Sequence, residues 1–414
     1  MNLSDGANDR GLITSAPAGA TKVAATAVRS RLDSVDLLRG LVMVVMALDH
    51  TRDFFHTGAF QGWDPLDLTR TTLALYFTRW ITHFCAPVFV FLAGTGAFLS
   101  TIRGKTTREL SWFLFTRGLW LVLLELTWIR WLGWTFTINL HEEWFLVIWA
   151  IGWSMVVLAG LVHLPTWGVT TFGLVMIAGH NLLDGVPLES WGQWGWLWRV
   201  LHFGGKFEVA AGYTFGVGYP LIPWIGVMAA GYGFGIILLR EPAERRRWLL
   251  RLGIGTTLAF ALLRYSNLYG NPKPWSPQND AWHTLMSFLD CHKYPPSLCY
   301  LLMTLGPALI LLALLDRGTP ALLKPILVFG RVPLFYYLLH LPLIHALSVV
   351  AHFIRLGRAD WLYGSMPAIP PTDAGFDLPV VYVAWLTVVL MLYPACRWFA
   401  NLKRTRTDAW LSYL

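Results

Sequence analysis

The chain has 414 residues, 55% of them hydrophobic and 14% charged, with a mean hydropathy of +0.50. Soluble proteins carry about 25% charged residues, so this composition excludes a soluble domain and indicates a multi-pass membrane protein. The net charge of +8 calls for no nucleic-acid partner, because the Lys and Arg residues cluster between apolar runs, on one side of the expected membrane.

In chain order, residues 1–30 come first, rich in Ala, Ser and Thr without an apolar core. They read as neither a secretory signal nor a span, and a disordered cytoplasmic tail is expected there. Residues 31–414 then read as a single all-α transmembrane domain. Runs of roughly 20 apolar residues mark about ten spanning helices. They lie near Leu37–Phe55, Tyr76–Leu99, Leu110–Leu132, Trp144–Val162, Trp167–Leu183, Tyr219–Leu239, Trp248–Leu268, Ser297–Leu315, Ile326–Val350 and Pro379–Phe399. Alternate connections are basic: Arg29 and Arg31; Arg103, Lys105 and Arg108; Arg240 to Arg251; Arg317 and Lys324; then Arg397 to Arg406. By the positive-inside rule both termini are expected in the cytoplasm, with the protein in the inner (plasma) membrane.

Three longer segments, 57–75, 184–218 and 269–296, would face outward. The second carries Trp191, Trp194, Trp196 and Trp198, which suits a helix lying in the outer interface or a loop packed over the bundle. Cys291 and Cys299 could meet on that side. The four cysteines have no metal-like spacing, no metal is expected, and no phosphate-binding glycine loop or nucleophile elbow appears. No internal repeat of the transporter type is visible.

Chemistry must then come from ionisable groups inside the bundle. The first span reads DLLRGLVMVVMALDHTRD, with Arg39 near one end and Asp49, His50 and Asp53 near the other. Charges in a span are costly and persist where they face protein or a wet cavity, so such a cluster points to a functional site. His50 lies eleven residues beyond Arg39, about 16 Å deeper at helical rise. His50 and Asp53 share a helix face, where the carboxylate could orient the imidazole, and His56 continues the stripe. His83 on the second span falls at a similar level, as do Glu125, His340 and His345. Each also has a plain structural reading: a snorkelling Arg39, a boundary His56, packed histidines at 83, 340 and 345, and a Glu125 paired with Arg117 or Arg130.

The segment RLDSVDLLRGLVMVVMALDH, with PVFVFLAGTGAFL at Pro87–Leu99, resembles the catalytic domain of the heparan-α-glucosaminide N-acetyltransferase family and its bacterial members. The spacing Arg39, ten residues, His50 is similar to the Arg/Lys-x10-His signature of the wider superfamily of integral-membrane acyltransferases. YPLIPWIGVMAAGYGFG and FGRVPLFYYLLHLPLIH resemble the bacterial branch. The resemblance implies transfer of an acyl group, usually acetyl, from cytoplasmic acyl-CoA to a hydroxyl or amine of a sugar or glycan on the extracytoplasmic side. It gives His50 as the base, with His56 second because the lysosomal branch carries its histidine in the following loop.

Chemistry agrees with that expectation. An imidazole titrating near operating pH is the usual base for such a transfer. Asp53 or Asp49 would orient His50, and His83 would support it. Arg39, Arg103 and Lys105 would meet the CoA phosphates, while Glu125, His340 and His345 would face the acceptor. The expected partners are acyl-CoA, the glycan acceptor and the bilayer, and the chain could also form a homodimer. The rival class is a proton-coupled small-molecule transporter.

Overall fold

In the computed structural model, residues 32–364, 369–406 and 408–414 are described, so the expected N-terminal tail lies outside the described residues. The ten expected positions are all helical, although several helices are interrupted. Helix α1 (Asp33–Phe55) opens with Asp33 and Asp36 in its first turn, where carboxylates complement the positive end of the helix dipole. The second position is two helices, α2 (Leu73–Thr82) and α3 (Cys85–Ile102), broken at His83 and Phe84. Helix α4 (Thr107–Leu124) starts on a capping box between Thr106 and Glu109 and runs on as a π-helix through Glu125–Thr135.

Helices α5 (Val147–Leu161) and α6 (Thr166–Gly179) follow, then α7 (Leu221–Leu238), α8 (Pro242–Ser266) and a short outer-loop helix, α9 (Ala281–Leu289). Beyond them come α10 (Leu298–Leu315), α11 (Lys324–Arg331), α12 (Pro333–Leu356) and α13 (Leu378–Thr405). The ninth expected span is thus divided at Val332, because Pro333 opens a new helix rather than continuing the old one.

Among the described residues, six helical stretches are long and apolar enough to cross a membrane, and seven if the sharply bent pair Thr166–Leu183 and Leu188–Phe203 counts as one. Three of the ten expected spans fall outside that set for visible reasons. Helix α1 is laden with charge, α5 has only 15 residues, and α8 begins with a basic turn.

One expectation needs correcting. The fold is not purely helical, because residues 142–145, at the edge of the fourth expected span, join the 184–218 segment in a three-stranded sheet of order β1-β3-β2. Strand β1 (Glu142–Phe145) pairs parallel with β3 (Tyr213–Val217), and β2 (Gly205–Ala210) pairs antiparallel with β3. The β2–β3 turn closes through Gly212, whose φ of 79° suits glycine. Short, half-exposed strands of this kind carry too little apolar signal to stand out among membrane spans. The Trp-rich stretch is helical from Leu188 to Phe203, in a 3-10 segment kinked at Gly192, one α-turn and a π-segment.

Helix α1 is the hub of the bundle, packed against α2, α3, α10, α11, α12 and α13. That position explains how a spanning segment can hold so many ionisable groups: its neighbours are protein on nearly every side. Trp385 on α13 donates its indole N–H to the Val44 carbonyl at 2.8 Å, and Ser348 on α12 bonds the Phe54 carbonyl at 2.6 Å. Both contacts fix the rotation of α1, and with it the direction in which Asp49 and His50 point.

Candidate active site

A cavity of about 270 Å³ opens where α1, α2, α3 and α12 meet the residues that flank the sheet and the loop before α10. Asp49, His50 and Asp53 line it from α1, Arg79 and Thr82 from α2, Cys85 and Phe89 from α3, and Tyr337 from α12. The sheet supplies more. Leu146 directly follows β1 and Tyr219 lies just after β3, so strand pairing brings both to the rim, while Lys293 and Tyr294 come from the loop before α10.

The floor is an ion-pair network. Arg79 grips Asp49 with one nitrogen at 2.7 and 2.5 Å from its two oxygens. Arg52 bridges Asp49 at 3.2 Å and Asp53 at 2.6 Å. Four charges thus cancel pairwise within a low-dielectric site, which is the condition for keeping them ionised there.

His50 stands beside this network rather than inside it. Its Nδ1 is 3.7 Å from Asp53, beyond hydrogen-bond length, and has no other partner among the described residues. The ring packs edge-on to Trp134 with centroids 5.3 Å apart, and His340 is also 5.3 Å away. Asp53, expected to orient the imidazole, gives its Oδ1 to Arg52 and keeps its Oδ2 as the oxygen nearest His50 Nδ1.

The other sequence candidates separate into groups. His83 is buried at the break between α2 and α3, packed on Tyr300, with neither ring nitrogen bonded. Its side chain is close to the charge network but does not line the cavity. His56 caps the turn after α1, accepting the Gly58 N–H at 3.1 Å, and lines a smaller cleft with Arg52 and Trp63. Burial and the nearby Arg52 guanidinium hold its pKa below the usual histidine value.

Glu125 accepts the N–H groups of Ile148 and Trp149 at 2.9 and 3.1 Å, which caps the N-terminus of α5. It pairs neither along its own helix nor with the cavity. His345 lies between the carbonyl oxygens of Gly133 and Leu362, at 3.0 and 2.7 Å, stacked on Phe136. It thereby ties the end of the π-helix to the loop after α12. His340 touches His50 and is taken up below.

The basic residues expected at the donor end do not line the cavity. Arg39 donates to Asp36 and to the Gly330 carbonyl. Arg103 and Lys105 sit in the exposed turn after α3, with Lys105 over the Phe113 ring. From the cavity-lining Ala86 to Arg103 is a distance of roughly 25 Å along the helix. All four cysteines are buried free thiols, so Cys291 and Cys299 are not paired.

Arg79, Lys293, Tyr294, Tyr219, Trp134 and Tyr337 were not singled out from sequence. Arg79 carried a readable signal, since an arginine within an apolar run and one turn before His83 obeys the rule that exposed His50. The loop residues carried none, because their place depends on how the outer segments fold back over the bundle.

Residues 31–263 match the family model described as heparan-alpha-glucosaminide N-acetyltransferase, catalytic. The match takes in Asp49, His50, Asp53, Arg79 and His83 and ends before Lys293, Tyr337 and His340. No curated protein matches the chain.

Proposed function

The chain belongs to the family of the heparan-α-glucosaminide N-acetyltransferase catalytic domain, and we propose that it is a membrane acyltransferase in which His50 is the general base. The donor is cytoplasmic acyl-CoA, most simply acetyl-CoA, and the acceptor is an amine or hydroxyl of a glycan-like molecule on the extracytoplasmic side. The observation that carries this reading is the cavity that joins His50 to the Asp49–Arg79 pair, three residues of the region that matches the family.

The chemistry follows from the parts. His50 accepts the proton as the acceptor nitrogen or oxygen bonds to the thioester carbonyl carbon. The tetrahedral adduct then collapses, the carbon–sulfur bond breaks, and the imidazolium returns its proton to the departing thiolate of CoA. The cationic lining offered by Arg79 and Lys293 favours the negative charge that builds on the carbonyl oxygen.

Arg39, with Arg103 and Lys105, marks the donor end. His50 is about 16 Å of helical rise from Arg39, so the donor would reach the site through the bundle with its phosphates left near the cytoplasmic surface. The topology that fits has ten crossings with both termini in the cytoplasm of an inner-membrane protein. His83 and His56 are support groups in this scheme.

The test is turnover of acetyl-CoA by the purified protein, alone and with glucosamine as acceptor. His50→Ala should abolish both hydrolysis and transfer. Full activity in that variant, with loss in His56→Ala, would move the base to the loop.

A further inference from the structure

We propose that His340 positions His50, by accepting a hydrogen bond from His50 Nδ1–H on its own Nε2. This rests on the reading of His50 as the base. The carboxylates that might orient the ring make their short contacts elsewhere: Asp53 gives Oδ1 to Arg52 at 2.6 Å and leaves Oδ2 3.7 Å from His50 Nδ1, beyond hydrogen-bond length, and Asp49 is held by Arg79 at 2.5 Å. His50 Nδ1 is buried without a partner, and so is Nε2 of His340.

The tautomer of His340 follows from its other nitrogen. Nδ1 lies 2.7 Å from the Tyr337 carbonyl oxygen, which can only accept. Nδ1 therefore carries the proton, and Nε2 presents a lone pair. Two imidazoles joined by an N–H···N bond of ordinary length have centroids about 5 Å apart. The observed separation is 5.3 Å, with the planes inclined at 50°. With His340 held by its Tyr337 contact, turning the His50 ring toward Nε2 would satisfy two buried nitrogens at once.

The plane of His340 is held by neighbours. Tyr336 stacks on it with centroids 5.4 Å apart and planes 8° from parallel, and Tyr337 meets it edge-on at 5.0 Å. Asp49, Asp53, Arg79, Lys293 and Tyr294 line this site and Arg52 reaches it through its pairs with Asp49 and Asp53, but none hydrogen-bonds Nδ1 of His50. With Nδ1–H directed at His340, His50 Nε2 is left bare, which is the form that takes a proton from the acceptor. A neutral partner here does the orienting that a carboxylate does in hydrolytic triads, without adding another charge to the bundle.

His340→Phe keeps the stacked ring and removes the acceptor, whereas His340→Gln keeps an acceptor oxygen. Two measurements on the purified full-length protein separate the roles. In acetyl transfer to glucosamine, kcat should fall roughly tenfold or more in the Phe variant, the worth of one hydrogen bond. The KM for acetyl-CoA should change little, and His340→Gln should recover most of the loss.

The second measurement needs no transfer activity: carbethoxylation of His50 by diethyl pyrocarbonate, followed by peptide mass spectrometry across pH. Its midpoint should move by about one pH unit in His340→Phe and stay in place in His340→Gln. An unmoved midpoint in His340→Phe, or an equal shift in both variants, overturns the proposal. His340→Met serves if the phenylalanine ring is not accommodated. A shifted midpoint in a protein that transfers no acetyl group would leave the His50–His340 contact standing and remove the transferase reading instead.

Discussion

At the cavity, two kinds of residue should respond differently to replacement. His50 Nδ1 makes no hydrogen bond among the described residues and stands 3.7 Å from Asp53, so His50→Ala should cost about 10²- to 10⁴-fold in transfer rate and leave the melting temperature in detergent nearly unchanged. Arg79 should behave in the opposite sense. Its guanidinium is the main partner of Asp49, and both side chains are 13% exposed. Arg79→Leu leaves a buried carboxylate with Arg52 alone, and loss of one partner of a buried pair typically costs 3–5 kcal/mol. A variant that melts as the parent does would mean that solvent reaches Asp49 freely. Outside the spans, burial pushes the Glu143 carboxyl up to about 7 against the pull of Arg130. Since the folded pKa exceeds the unfolded one, the folded state holds the proton more tightly. Its contribution is present below about pH 4.5 and is lost as pH rises through 7. Glu143→Gln should therefore flatten the fall in melting temperature between pH 5 and pH 8, and an identical slope in both proteins would count against the buried acid.

Among the elements, close helix contacts explain much of the bundle. A side chain on Gly94 of α3 would strike the Met228 carbonyl of α7, and one on Gly231 would strike the Phe91 carbonyl. Small residues of this kind let two backbones approach in lipid. Gly94→Leu should force α3 and α7 apart and tilt the lower part of the cavity wall, which Cys85 and Phe89 supply, so expression and thermal stability should both drop. The same substitution at Gly96, where the added atoms meet open space, is the control and should be tolerated. Helix positions were legible in the sequence because a span of apolar residues is a local signal. The breaks at His83 and Val332 and the cap that Glu125 gives α5 were not, since each depends on a partner far along the chain. His50, Asp49 and Asp53 were legible as charges in lipid. The pairing around them was not: Arg52 takes one oxygen of the carboxylate that helical spacing had offered to His50.

For the molecule as a whole, the open quantity is how many helices cross the membrane, and parity helps to decide it. Six or ten crossings put both termini on one side, and seven would separate them. With ten crossings the basic connections at Arg240 to Arg247 and at Lys403 and Arg404 share the cytoplasmic face, whereas with six they fall on opposite sides. A reporter fused after Leu414 should therefore read as cytoplasmic. That result leaves six and ten unresolved, and α8 separates them. Its first turns are too charged for a simple apolar span, yet its later face packs along α10, itself long and apolar enough to cross. If α8 crosses, Gln278 in the loop after it lies outside and Arg246 at its start lies inside. A single cysteine at Gln278 should react with a membrane-impermeant thiol reagent on intact cells, and one at Arg246 should react only after the membrane is opened. The native thiols are all buried, so the background is expected to be low. Labelling of both positions from outside would place α8 on the surface, and the outer loop that carries Lys293 and Tyr294 to the cavity would then need another route to His50.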